Sequence, residues 1–217
     1  MQPDRPPRTI GSWLLHVEYP GDVDRLQMLA HAATVAANVL AEADLLSPRT
    51  LHVPSWLRSA DRTPAKADLP ATTILVTAPL DPADIVDRLR AQAATAGTPG
   101  AEPFTIEIHG PGQAIDAHGV PQSSNLFGVE VLADGAGATV SVDTYSDTWL
   151  SHGINGQPQP ALAAANAPRL RAVLRRLAEE LGTDADPGEP TKYAVPVEDG
   201  LDNHRDADGE PIATEAW

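Results

Sequence analysis

The chain contains no cysteine, which excludes disulfides, cysteine-ligated zinc, iron–sulfur clusters and a thiol nucleophile. Aromatic residues are only 4% of its 217 residues, so a core built from it is aliphatic, with alanine supplying much of the apolar share. No uncharged apolar run approaches the roughly 18 residues that a bilayer-spanning helix needs. The opening MQPDRPPRTI has arginines but no apolar stretch of signal-peptide type, and a cytosolic address without membrane contact is the expectation. Positive charge is also scarce. Fifteen lysines and arginines stand against thirty acids, for a net charge of −15, which argues against nucleic acid as a partner and favours a basic protein. The excess is uneven, since residues 183–217 hold ten acids against Lys192 and Arg205. A single domain over 1–182 followed by an acidic tail over 183–217 is the expected organisation. The apolar spacing of Tyr193, Val195, Val197 and Leu201, with Trp217 at the end, suggests that the tail straps onto the domain.

What is present reads as alternating strands and a few helices. Trp13, Leu15, Val17 and Tyr19 alternate with Ser12, Leu14, His16 and Glu18, the period of a strand over about 9–19. Asp22 is positioned to cap a helix running to about residue 44, with Leu26, Leu29, Ala33, Ala37 and Leu40 on one face. A short strand is predicted at 49–53. Residues 54–70 read as a long loop, anchored by Trp56, and 71–78 as a β-branched strand. Asp81 at the N-cap, Pro82 in the first turn and Leu80 poised to pack on Ile85 predict a helix over 82–96 ended by Gly97.

Three further strands are predicted at 103–109, 125–132 and 138–145, the last two joined through Asp134-Gly135-Ala136-Gly137 as a hairpin. A final helix over 167–181 is expected, with Pro168 near its start and Gly182 as its stop. The order lacks regular βαβ alternation. An α+β fold follows, a mostly antiparallel sheet with two or three helices on one face.

Catalytic and cofactor motifs are absent. His16-Val17-Glu18 has the H-x-E form of zinc deaminases but lacks the cysteine pair that completes such a site. Gly135-Ala136-Gly137 runs into a strand and not into a helix, so it presents no helix N-terminus to a pyrophosphate. His204, Asp206, Asp208 and Gly209 imitate part of a calcium loop with an imidazole at the first ligand position, a poor donor for a hard cation. No catalytic residue, metal site or cofactor is therefore assigned.

The candidate surface lies on the predicted meander. If Phe104, Ile106 and Ile108 face inward, Thr105, Glu107 and His109 face outward, with Glu130 on the next strand and Ser141, Asp143 and Tyr145 on the third. Asp147 and Trp149 in the following loop add polar and aromatic anchors, or Trp149 closes the core over the last helix. The partner-binding candidates are thus Glu107, His109, Glu130, Asp143, Tyr145, Asp147 and Trp149, against the plainer reading of a solvated sheet face.

The segment DTYSDTWL with GQPQPALAAANAPRLRAVLRRLAEELG, GEPTKYAVP and DADGEP resembles actinobacterial immunity-type proteins of polymorphic toxin systems, over about the last 75 residues. The resemblance implies a small acidic protein that binds a cognate toxin domain and blocks it, and it carries over no residue roles. Two other classes stay open: a small-molecule enzyme of unfamiliar type, and a structural or regulatory interaction module.

Overall fold

The structure, a computed structural model, describes residues 8–19, 23–58, 65–66, 70–134 and 137–212. Its elements in chain order are β1 (Gly11–Glu18), α1 (Arg25–Glu42), β2 (Thr50–Val53), β3 (Trp56–Arg58), β4 (Ala65–Lys66), β5 (Thr72–Leu75), α2 (Pro82–Thr95), β6 (Ala101–Pro103), β7 (Thr105–His109), β8 (Gly112–Ile115), β9 (Pro121–Ser124), β10 (Phe127–Asp134), β11 (Gly137–Thr144), α3 (Pro160–Leu181), β12 (Asp186–Pro187), β13 (Val195–Val197) and β14 (Gly200–Asp202).

Alternation along each strand builds one apolar sheet face. Trp13, Val142, Val129, Ile108 and Leu51 are successive partners across five strands, and Leu15, Val140, Val131 and Ile106 form the next row. All nine are buried. The strands join in the order β12-β1-β11-β10-β7-β2-β5, each pair antiparallel. Helix α1 crosses this face, flanked by α2 and α3. Its Ala30, Ala33, Ala36 and Ala37 are buried without exception, small side chains that let the helix lie close to the sheet. The fold is α+β, with a mostly antiparallel sheet. Among the described residues no helix is long and apolar enough to cross a membrane.

Local signals placed several boundaries. Asp81 caps α2 by accepting from the Ala83 amide at 2.9 Å, Pro82 occupies the first turn, and both Leu80 and Ile85 are buried. Asp81→Ala is expected to cost about 0.5–2 kcal/mol in a denaturation experiment; an unchanged midpoint would show that solvent serves these amides equally well. Gly182 ends α3 in the left-handed region at φ 67°, with the Thr183 amide returning to the Ala178 carbonyl at 3.0 Å.

Other expectations need correction. Asp22 lies outside the described residues, and the carboxylate that caps α1 is Asp24, which accepts from the Gln27 amide at 3.1 Å. Gly135 and Ala136 also lie outside them, although β10 and β11 pair in register as far as Asp134 and Gly137. Trp56 is buried as an anchor, but it opens strand β3, which pairs with β4 and β6 in a small second sheet. Phe104 is 39% exposed and Thr105 is buried, the reverse of the strict alternation. A bend after β6, where the Phe104 amide bonds to the Ser55 carbonyl at 3.1 Å, breaks the period there.

Helix α3 begins at Pro160, and Pro168 lies inside it. An interior proline forfeits one ladder bond. The turn around it is held by Asn166, fully buried, which accepts from the Ile115 amide at 2.9 Å and donates to the Ile115 and Leu162 carbonyls at 2.7 and 2.9 Å. Those bonds also moor the β8–β9 hairpin, whose exposed Pro121–Ser124 strand carries no apolar alternation to announce it.

The acidic segment after Gly182 lies along the domain as far as Ile212. Asp186 and Pro187 pair with β1, Trp13 donates its indole N–H to the Val197 carbonyl at 2.8 Å, and Thr191 bonds to the Ile10 carbonyl at 2.8 Å. Tyr193, Ala194 and Leu201 are buried, while Trp217 lies outside the described residues.

Candidate functional site

The face of the sheet turned away from the helices is built by the other half of each alternation. One row runs Ser12, Asp143, Gly128, His109, Thr50, Leu75, and the next runs Leu14, Ser141, Glu130, Glu107, His52, Thr73. Glu107 and Glu130 are therefore direct cross-strand partners, an opposition of like charges that works against the pairing. Asp143 sits diagonally from Glu130 on the neighbouring strand. Three carboxylates thus occupy adjacent positions on three central strands.

Tyr145 completes the group. It leaves the end of β11 with its amide on the Leu126 carbonyl at 2.9 Å, and its ring folds back over Gly128. A Cβ at Gly128 would lie 2.3 Å from the phenol oxygen, so the glycine is what allows the ring to settle on the strand. His109 stands beside Glu107 with Nε2 3.3 Å from Oε2, and His52 Nδ1 lies 3.1 Å from Thr73 Oγ1.

The electrostatics follow from this crowding. Burial, joined by the Glu130 charge, pushes Asp143 up to about 6, against which its hydrogen bond from Ser141 at 3.5 Å works only weakly. Glu130 is raised by burial and by Glu107. Tyr145 is pushed up to about 12 by burial and then by Asp143, Glu107 and Glu130. All three shifts have one sense: the patch resists its own negative charge. Cations in contact with it would be bound by attraction and by relief of that repulsion.

The consequence for stability has a definite sign. Between the usual aspartate value of 3.8 and about 6, the folded chain keeps a proton on Asp143 that the unfolded chain has lost, so stability falls as pH rises through that window. Above about 6 the penalty is complete. Asp143→Asn removes the charge at nearly constant shape and is expected to raise the urea midpoint at pH 8 while leaving it nearly unchanged at pH 4. Equal shifts at both values would show that the carboxylate is not strained.

Five of the seven sequence candidates, Glu107, His109, Glu130, Asp143 and Tyr145, meet on this face. Two do not. Asp147 is spent within its own loop, where Oδ2 accepts from the Ile154 amide at 3.0 Å and its main-chain oxygen accepts from the Gln159 side chain at 2.6 Å. Trp149 is 2% exposed, packed on Phe127 with ring centroids 5.4 Å apart, and its N–H donates to Thr144 Oγ1 at 2.8 Å; it belongs to the core. His52 and Gly128 were missed. The alternation of Thr50–Val53 held the signal for the first, and a lone glycine inside a strand pattern held it for the second.

Among the described residues no group of three or more histidines and acids is disposed to hold a metal ion. At the calcium-like turn, Asp206 Oδ1 instead accepts from the amides of Asp208 and Glu210, both at 2.9 Å. No protein-family model, curated protein or solved structure matches the chain.

Proposed function

We propose that this protein acts by binding and not by catalysis, as a cytoplasmic inhibitor of immunity type that captures a cationic toxin domain on the open sheet face. The observation that carries the reading is the cluster of Glu107, Glu130 and Asp143 on adjacent strands with Tyr145 folded among them. A lysine or arginine of the partner seated there relieves the mutual repulsion of the acids. The net charge of −15 extends the same attraction beyond contact distance and speeds encounter with a basic body. Tyr145 supplies the apolar surface that slows dissociation once the complex has formed.

The test uses the most basic small reading frame encoded beside this gene, expressed as an inactive variant and immobilised. Association and dissociation rates are measured for the wild type, Glu107→Lys and Asp143→Lys at low and moderate salt, after each variant is shown to be folded. Both reversals are expected to slow association by about tenfold or more at low salt and to flatten its salt dependence, with smaller changes in dissociation. Calorimetry near pH 6 in two buffers of different ionisation enthalpy is expected to register protons released from Asp143 on binding. Wild-type rates in both variants would remove this face from consideration.

A further inference from the structure

The seven-stranded sheet ends at β5, and the main-chain groups on that edge can be assigned from the ladder. The Val76 amide bonds to the Arg49 carbonyl at 3.0 Å, and the register continues as Leu51↔Ile74 and Val53↔Thr72. Successive residues of an antiparallel strand turn their N–H and C=O groups to opposite sides. Val76, Ile74 and Thr72 therefore face β2, while the amides and carbonyls of Thr73 and Leu75 point outward from the sheet. Among the described residues no strand pairs with this side of β5.

The strand has few of the devices that protect an edge. Its sequence Thr72-Thr73-Ile74-Leu75 is mostly β-branched, uncharged and free of proline, and the Leu75 side chain is 77% exposed on the open face. Natural edges are commonly guarded by charges, prolines or bulges. Here the guard is Arg88, reaching from α2 to the Leu75 carbonyl at 3.1 Å while its Nε pairs with Asp84 at 2.8 Å. Among the described residues, that covers one outward carbonyl and leaves the Thr73 positions and the Leu75 amide to a partner.

We infer that an extended, cationic segment of the binding partner adds to the outer edge of β5 as an eighth strand. The inference rests on the reading of the open face as the docking surface. Charge decides between this occupant and a second copy of the chain: two molecules each carrying −15 repel, whereas a basic segment is drawn to the same face. Position agrees, because the rows ending in Thr73 and Leu75 are those that hold Glu107, Glu130 and Asp143. Glu130 is about 14 Å from β5, three strand spacings away. The added strand supplies main-chain pairing and an apolar side chain against Leu75, and the basic body following it covers the acids.

The test uses the whole protein, isotope-labelled, and a synthetic peptide of about ten residues in Val-Val-Lys-Lys repeats, so that each face of the strand carries both valine and lysine. Its control carries N-methyl groups on alternate amides, which keeps the charge but removes pairing along one edge. Adding the first peptide is expected to slow hydrogen exchange at the Thr73 and Leu75 amides, and the methylated peptide is expected to bind at least about tenfold more weakly, which about 1.4 kcal/mol of lost main-chain bonding produces. Thr73→Pro, which removes the outward N–H along with the hydroxyl beside His52, is expected to weaken the first peptide similarly, whereas Thr73→Val, which loses the hydroxyl alone, is expected to bind it as the wild type does. Equal binding of the two peptides, or unchanged exchange at Thr73 and Leu75, overturns the inference. If Glu130→Lys weakens binding while methylation makes no difference, the acidic face stands and the edge falls; if only methylation matters, the edge stands and the acidic face falls. Protection of Thr73 and Leu75 that needs only a higher protein concentration, with light scattering of a dimer, assigns the edge to a second copy and overturns the cationic occupant.

Discussion

Trp149→Ala is expected to destabilise the protein by about 3–5 kcal/mol, the range for removing a large aromatic side chain from a packed interior. The ring is 2% exposed and tilted against Phe127 at 44°. Its N–H donates to Thr144 Oγ1, and that hydroxyl in turn donates to the Leu126 carbonyl at 3.1 Å. The variant would lose the packing, leave a cavity beneath α3 and strip one partner from a buried polar chain. Trp149→Phe keeps most of the volume, loses the N–H, and is expected to cost about 1–3 kcal/mol. Urea midpoints for the two variants check both values. A loss below about 1 kcal/mol in Trp149→Ala, together with lost partner binding, would return this residue to an interface. It also follows that weakened binding in Trp149→Ala reports unfolding, so the anchor to truncate in a binding study is Tyr145.

Removing everything after Gly182 is expected to abolish cooperative unfolding at room temperature. The segment 183–212 contributes the buried Tyr193, Ala194 and Leu201, caps Trp13 through the Val197 carbonyl, and bonds to the main chain of Ile10 and Ser12. Leu201 is seated so closely on β1 that a Cβ at Gly11 would lie 2.5 Å from its Cδ1. Asn203 ties the segment to the loop before α3 through Ser151 and His152. Each large buried side chain is worth about 1.5–3 kcal/mol, and a whole domain has only about 5–15 kcal/mol to lose. The deletion also sheds ten acids and two bases, which lowers self-repulsion. That gain is screened within about 10 Å of salt solution and is smaller than the lost burial. Near-ultraviolet circular dichroism and a urea titration of residues 1–182 measure the outcome, and a native-like transition at the wild-type midpoint would reduce the segment to a surface attachment. Leu201→Ala offers a milder version, with an expected cost of about 2–5 kcal/mol.

Much of the architecture was legible along the chain because it depends on neighbours in sequence. The alternation of Trp13, Leu15 and Val17 marked a strand, the cap at Asp81 marked a helix start, and Gly182 marked a stop. The outward placement of Glu107, Glu130 and Asp143 followed from the same period of two. Where the reading failed, a distant group had intervened. Asn166 holds α3 together across Pro168 by bonding to Ile115, some fifty residues earlier, and the Ser55 carbonyl bends the chain at Phe104.

The sequence by itself determined the charge, the aliphatic core, the α+β class and which residues share one face of a strand. Periodicity and capping act over a few residues, and they hold wherever the element ends up. Only the tertiary structure decided the strand order that crowds three acids together on adjacent strands, the burial that raises Asp143 to about 6, and the packing of Trp149 against Phe127. It also decided that an acidic tail lies over Trp13 and that β5 is left at an edge. These depend on what covers a face once it has formed, and covering is settled by contacts between segments far apart in the chain, about which a local pattern carries no information.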